Sequence, residues 1–569
     1  MARKAAAKTG RVQMSRTAKK TKTSKTAKPS KTTSKKTAKT TAKTTAKTAK
    51  KPVPGARRAG GAGASDATMK PPPGGAIVRM YRIGHGDCFL IAFDGESPDK
   101  PAYVLIDCGY KPGSPGKLTE PTKVSEIGAH IIATTGGFVD VGIVTHEHQD
   151  HVNGLTSGNF PGLKVGKVWF AWTENPKDDI ANQLRKKFKD RLLGMIDTRA
   201  NLMGLGKDDI VAKLDWYLEF ELGENPEEFN GVRHLAAAGK DPAKSANKIA
   251  MKFIRDCSDG DPDYIYPHQK VLAVPGAKSA RVFALGPPHD IDKIDDLDPV
   301  GDETFGDDHA FGHSLGAVAG GGAGGLSKAS PFSRRHVIPL DQAFMDAKCG
   351  AFFSEYYGAE SVVVADTADG MEIPSNAGWR RMTADDAADA GALALAMNNA
   401  TNNASLVLAF EMTKGGKVLL FVGDAQAGNW RSWSEDHFDD EGVKVSAETL
   451  LGRTVLYKVG HHGSHNATMK GKAGSHAASL AVMAQGQHAA EFVAMITAVE
   501  AWAHQKPKPD WNHPFPAIKE ALVTKAGGRV LQTDSSLPDK PAGDGASSWQ
   551  AFLDRVSETP LYFQLRIDA

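Results

Sequence analysis

Residues 141–151 read Val-Gly-Ile-Val-Thr-His-Glu-His-Gln-Asp-His. The apolar run Val141-Gly142-Ile143-Val144 leads straight into His146, His148, Asp150 and His151, four metal-ligand side chains within six positions. Imidazole and carboxylate together suit zinc, manganese or iron. A short β-rich run that ends in ligands is how a strand delivers them to a sheet edge. His146 and His148 are two apart and share a face if the strand continues. Asp150 and His151 follow in the turn and reach a second metal from the other side. One histidine alone is more often a satisfied surface or core residue, but three with an aspartate at this spacing exceed chance. Glu147 does not belong to a His-Glu-x-x-His pair on a helix, so it is predicted to be an exposed acidic loop residue.

Reading outward from this packet gives the fold. Residues 77–83 are predicted as a strand, Gly84-His85-Gly86-Asp87 as a turn, 88–93 as the returning strand, and 103–106 as a third strand ending at Asp107-Cys108-Gly109. Short strands joined by Gly/Asp turns form a meander. Residues 121–136 are predicted helical. Residues 177–223 are charged and periodic, with Leu184, Phe188, Leu192 and Met195 at helical spacing. They predict a helical insertion, about 176–280, whose apolar stripe is core. A strand at 281–285 follows, then a loop-rich segment, about 290–400, in which the Gly/Ala-rich residues 315–326 are predicted to be mobile. Strands are predicted at 405–410, 418–422, 454–459 and 491–496, a helix at 516–526, and a closing strand at 529–534. Two β-rich halves with helices between them predict an α/β fold of the αββα sandwich type.

Charge is distributed unevenly. Residues 1–58 hold 20 of the 70 Lys and Arg, and the first acidic residue is Asp66. The remaining 50 basic residues face 66 acidic ones, so the +4 of the whole chain conceals a basic tail on a body of net −16. Residues 1–75 are low in complexity, with Thr-Ala-Lys repeated at 37–39, 41–43, 45–47 and 48–50. They lack the apolar content that offsets ordering entropy and are predicted to be disordered, leaving a folded body at 76–569. A polycationic arm of this kind neutralises phosphates, so nucleic acid is the expected partner; a purely solubilising tail is the alternative. The arm contains no aromatic residue, which argues against base stacking. Cys88, Cys108, Cys257 and Cys349 are widely spaced and read as thiols of a reducing compartment. There is no apolar leader at the N-terminus and no apolar run of about 18 residues, so a cytoplasmic protein without a membrane span is expected.

Two further strand ends carry ligand chemistry. Gly423-Asp424-Ala425 ends a strong apolar run, and Gly460-His461-His462-Gly463-Ser464-His465 follows another. With the packet, these resemble the metallo-β-lactamase fold superfamily, whose signature His-x-His-x-Asp-His is matched by His146, His148, Asp150 and His151. More narrowly, Gly84-His85-Gly86-Asp87, Asp107-Cys108-Gly109, residues 402–408, Gly423-Asp424-Ala425, His461-His462-Gly463-Ser464, and residues 513–516 through 533–534 resemble the soluble hydrolase domain of the competence protein ComEC. The likeness covers roughly 76–170 and 281–535. It implies a binuclear metal hydrolase holding two divalent ions, zinc or alternatively manganese. His146 and His148 would bind the first ion and Asp150 and His151 the second. Asp424 would bridge them, and one of His461 and His462, with His462 preferred, would complete the second site. Asp107 would orient the histidine cluster. No motif fixes a third histidine for the first ion; His289 is a weak candidate.

The resemblance also implies the chemistry. Two ions would hold a water or hydroxide, lower its pKa and polarise the scissile group, and Asp150 would relay a proton to the leaving group. The favoured substrate is a phosphodiester, as for a phosphodiesterase or nuclease. A small ester, lactone or β-lactam is the alternative on the same fold, and a non-enzymatic nucleic-acid-associated scaffold is the alternative from another class. Ser464, Asn466 and Thr468 would line a substrate mouth or, preferably, are ordinary polar loop residues.

Overall fold

Strand β1, Ala76–Tyr81, starts where the apolar alternation of the sequence starts. The computed structural model describes residues 68–117, 120–121, 123–204, 208–223, 245–295, 304–305, 345, 347–357, 365–367, 370–372, 400–435, 437–472, 474, 476–504, 512–541 and 546–569. The basic tail up to residue 67, the Gly/Ala-rich loop at 315–326 and most of the segment at 290–400 lie outside the described residues. The chain divides after Ala62, and every described residue belongs to the second unit.

The architecture is mixed α/β with two large sheets. The first contains β1, β2 (Cys88–Ser97), β3 (Lys100–Cys108), β4 (Phe138–Val144), β5 (Lys164–Ala171) and β6 (Asp263–Ile265). The second contains β7 (Leu272–Ala273), β8 (Arg281–Gly286), β9 (Val407–Glu411), β10 (Val418–Phe421), β11 (Thr454–Lys458), β12 (Val493–Ile496) and β13 (Val530–Gln532). Strands β14 (Val556–Glu558) and β15 (Tyr562–Ile567) return to the first sheet, giving the orders β14-β15-β1-β2-β3-β4-β5-β6 and β13-β12-β11-β10-β9-β8-β7. In each sheet an antiparallel meander passes into a parallel block: β3 to β6 in the first, β10 to β13 in the second.

Period-two alternation sets the layers. On β2, Phe89, Ile91 and Phe93 join Leu408 and Phe410 of β9 and Leu419 and Phe421 of β10 in one apolar layer shared by the two sheets. The alternate residues Leu90 and Ala92 face helices α1 (Val124–Thr135) and α5 (Ala246–Asp256). Val407, Leu420 and Tyr457 face α6 (Ala427–Ser432), α7 (Ala447–Gly452) and α8 (Pro516–Lys525). Between α1 and α5 come α2 (Gln149–Val152), α3 (Asp179–Gly204) and α4 (Asp208–Leu222). No helix among the described residues is long and apolar enough to cross a membrane.

Three expectations are corrected. Strand β5 was not predicted; Lys164, Gly166 and Lys167 interrupt its apolar pattern. The strand at 530–532 does not close the fold but forms one edge of the second sheet, and the chain ends in β15, which enters the first sheet between β14 and β1 and pairs Ala76 with Ile567. The segment 176–280 is not wholly helical, because β6 and β7 add one strand to each sheet.

Phe421 is buried between the sheets, edge-on to Phe89 at 5.3 Å and to Phe410 at 5.8 Å. Phe421→Ala is expected to destabilise the protein by about 3–5 kcal/mol, a large part of a typical total of about 5–15 kcal/mol. A denaturant midpoint that falls at unchanged slope is the measurement that checks it.

Candidate metal centre

Parallel strands present their carboxyl ends at one edge of a sheet, which is where α/β folds place their sites. Here β3 carries Asp107 one residue before its end, β4 runs into the packet, β10 into Asp424, β11 through Lys458 into the His461-His462 pair, and β12 into Thr497. The packet does not continue as a strand. Val144 is the last strand residue, His146 and His148 lie in an extended loop, and Gln149–Val152 forms a single turn of helix. Close approach of the backbones makes this geometry possible. Gly423 has φ +53°, and a Cβ there would meet Cβ of Thr145 at 2.9 Å and Cβ of Ser405 at 3.0 Å.

Asp150, His151, Asp424 and His462 are all buried, and one ligand atom from each lies within 4.8 Å of the others. His151 Nε2 faces Asp424 Oδ2 at 3.1 Å, and His462 Nε2 faces Asp150 Oδ2 at 2.8 Å and Asp424 Oδ2 at 3.9 Å. The remote nitrogens are already committed. His462 Nδ1 donates to the Thr497 carbonyl at 3.0 Å, and His151 Nδ1 donates to Asp107 Oδ2 at 2.8 Å. Each neutral imidazole would therefore point a lone pair at a carboxylate, an arrangement that requires a proton or a metal ion between them. His151 Nε2, Asp424 Oδ2 and Asp150 Oδ1 are buried without a hydrogen-bond partner. This donor set fits a divalent cation.

The supporting shell is equally ordered. Asp107, at φ +53°, accepts from the Thr145 amide at 2.8 Å and the Thr145 hydroxyl at 2.7 Å, fixing the start of the packet against β3. Asp424 N donates to Ser405 Oγ at 3.0 Å, and Ser405 Oγ lies 3.2 Å from His146 Nδ1. His461 and His462 have φ of +40° and +53°. Two consecutive left-handed histidines are costly and persist only where the surroundings hold them. The turn sends the two rings apart: His462 to the carboxylates, His461 to Ser464 Oγ at 2.8 Å and Asn402 Nδ2 at 3.3 Å.

Electrostatics bind the group together. Burial disfavours the His151 cation, but the carboxylates of Asp424, Asp87 and Asp107 outweigh it and raise the imidazole well above its ordinary range. Burial likewise works against the Asp424 anion, yet His151, Lys458 and His462 hold its carboxyl well below the usual range. Asp150 is lowered in the same way, with burial outweighed by Lys111 and His462. Burial alone would lower Lys458; Asp87 and Asp424 reverse that and raise it. Lys111, 3.8 Å from Asp150, is pulled down by burial to about 7.

Of the predicted residues, Asp150, His151, Asp424 and His462 come together, with Asp107 behind His151. His146 and His148 stand beside them: His146 Nε2 is 3.9 Å from Asp424 Oδ2 and 3.0 Å from His148 Nδ1. His461 does not join the carboxylates. His289 lies apart, 3.0 Å from Asp178 and against the edge of Trp172. Glu147 is not an exposed loop residue; it is half-buried and paired with Lys248 of α5. Ser464, Asn466 and Thr468 line no open mouth, being buried and bonded to His461, Gln426 and Tyr457. The sequence reading passed over Asp87, Lys111, Glu221 and Lys458. Asp87 left a signal in the Gly84-His85-Gly86-Asp87 stretch, which reads as a turn and a point of resemblance without a site role, and Lys458 left one as a lysine inside the apolar strand Thr-Val-Leu-Tyr-Lys. It also passed over His85 and His513, which stack on each other at 5.5 Å, with His85 4.3 Å from the ring of His462. No family model matches this chain, and no curated protein matches it.

Proposed function

We propose that the chain is a metal-dependent hydrolase of the metallo-β-lactamase type, with an αββα sandwich, two divalent ions and a phosphodiester as substrate. The observation that carries this reading is the pair of imidazole Nε2 atoms, of His151 and His462, facing carboxylates with their Nδ1 protons committed elsewhere. Bound divalent ions would supply Lewis acidity and lower the pKa of a water. His151, Asp150, Asp424 and His462 would hold one ion, with Asp424 shared with a second ion at His146 and His148. Asp107 fixes the His151 tautomer, and Thr497 fixes that of His462. Asp150, whose Oδ2 lies 2.8 Å from His462 and 3.8 Å from Lys111, would relay a proton to the leaving oxygen.

A second reading, a small ester, lactone or β-lactam as substrate, draws on the acidic body: a net charge of −16 beyond residue 58 repels a polyanion. Metal analysis of the purified full-length protein, combined with single-stranded DNA, RNA, a bis-aryl phosphodiester and a lactone, separates the readings. Two ions per chain with phosphodiester turnover is expected. Fewer than about one ion per chain would favour a non-enzymatic scaffold. If the basic tail delivers DNA, log rate should fall with log salt, and the slope should lessen by about 0.7 for each phosphate that a chain beginning at Ala76 no longer neutralises. Equal slopes for the two chains would remove the tail from the reaction.

A further inference from the structure

His148 Nε2 lies 3.2 Å from Glu221 Oε1, and Glu221 belongs to α4 of the helical insertion rather than to either sheet. The pair is enclosed: the side chain of His148 is fully buried, that of Glu221 is 10% exposed, and the ring of Phe220 packs on His148 at 4.3 Å. The end of α4 is fastened by the helix that follows it. Asn247 Nδ2 donates to the carbonyls of Phe220 at 3.2 Å and Glu221 at 3.1 Å, satisfying oxygens that a helix C-terminus leaves without partners. Gly223, at φ +71°, ends the helix with its N–H on the Glu219 carbonyl at 2.7 Å.

The carboxylate of Glu221 can only accept, so the 3.2 Å contact puts the His148 proton on Nε2 and leaves Nδ1 with a lone pair. His146 Nε2 lies 3.0 Å from that Nδ1. On its other side, His146 Nδ1 lies 3.1 Å from Thr145 Oγ1 and 3.2 Å from Ser405 Oγ. With the His146 proton on Nδ1, toward these hydroxyls, two lone pairs, on His146 Nε2 and His148 Nδ1, would be turned toward one another, with Asp424 Oδ2 3.9 Å from the first.

We infer that Glu221 is a positioning residue for the first metal site: it fixes His148 as the Nε2–H tautomer, so that His148 offers Nδ1 beside His146 Nε2 and Asp424. The helical insertion is then a working part of the metal centre. The inference rests on the metal-centre reading above. Carboxylates in this position behind a ligating histidine orient the ring and raise its basicity, and their loss costs about 10–100-fold in metal affinity.

The test uses the full-length protein, stripped of metal and titrated with zinc against a chromophoric chelator, with ¹⁵N imidazole spectra of the zinc-free form reporting the His148 tautomer. Glu221→Ala should weaken one of two zinc ions by about 10–100-fold, leave the other at native affinity, and shift His148 away from the Nε2–H form. Glu221→Gln keeps the shape and an accepting amide oxygen, and should fall between; it also serves where the Ala protein does not fold. Native affinity for both ions and an unchanged tautomer in these variants, while Asp424→Ala loses zinc, would overturn this inference and leave the metal centre standing. Loss of both ions in a folded Glu221→Ala protein would overturn the assignment to the His146–His148 half. A native protein that takes up no zinc overturns the metal-centre reading and this inference with it.

Discussion

Asp424→Ala is expected to reduce bound metal to less than about one ion per chain and to lower turnover by about 10³-fold or more, about 4 kcal/mol of transition-state stabilisation. Asp424 Oδ2 faces His151, His146 and His462 at 3.1, 3.9 and 3.9 Å, so one oxygen reaches both halves of the centre. No other carboxylate of the cluster takes that position: Asp150 serves His462 and Lys111, and Asp107 and Asp87 lie behind His151. The fold should survive the change, because Lys458 keeps its ion pair with Asp87 and its bond to the Gly423 carbonyl at 2.7 Å. Asp424→Asn separates charge from shape. It preserves the volume and one accepting oxygen but removes the anion, and it should lose nearly as much metal as the alanine variant. Metal content and hydrolysis at native levels in either folded variant, with an unchanged unfolding midpoint, would falsify the binuclear reading.

The centre was partly legible in the sequence, for reasons of locality. The packet could be read because His146 to His151 are neighbours in the chain, and a strand followed by dense ligands has one economical geometry. Asp424 could be read because Val418–Phe421 is a strong apolar strand and the residue just beyond such a strand sits at a sheet end. The choice between His461 and His462 could not be made firmly. Two left-handed backbone conformations decide which ring meets the carboxylates, and no residue pattern reports φ. Glu221 was hidden for another reason: it is one acidic residue in a charged insertion, and its role arises only when α4 is fastened against the packet by Asn247. The fold shows the same division. Local pattern marked β1 to β4 and β8 to β13, whereas the pairing of Ala76 with Ile567 joins opposite ends of the described chain, which no local pattern encodes.

The metal-free protein is expected to lose stability steeply as pH falls below about 6.5, where an ordinary imidazole titrates. His85, His461 and His513 are buried and clustered. Burial, with neighbouring histidines adding to it, lowers His85 and His513 well below their ordinary range; burial, only partly offset by Asp424, lowers His461 to about 3. Their folded pKa values lie below the unfolded ones, so beneath pH 6.5 the unfolded chain binds protons that the folded chain refuses. Stability then falls with falling pH, by about 1.4 kcal/mol per unit for each group. His151 has the opposite sign. Its raised pKa contributes stability that is complete below 6.5 and is lost only as pH rises through the folded value, so it adds no slope in the acid window. Asp150 and Asp424, lowered, contribute stability that is lost only below about 4, where unfolded carboxylates titrate. The three slopes have the same sign, so the stability of the metal-free protein should fall as pH drops from about 6.5 toward about 4. Urea midpoints measured through that range check this, and His513→Gln, which removes one of the three groups, should flatten the curve. A midpoint independent of pH from 7 to about 4.5 would mean that these rings are not held neutral by burial.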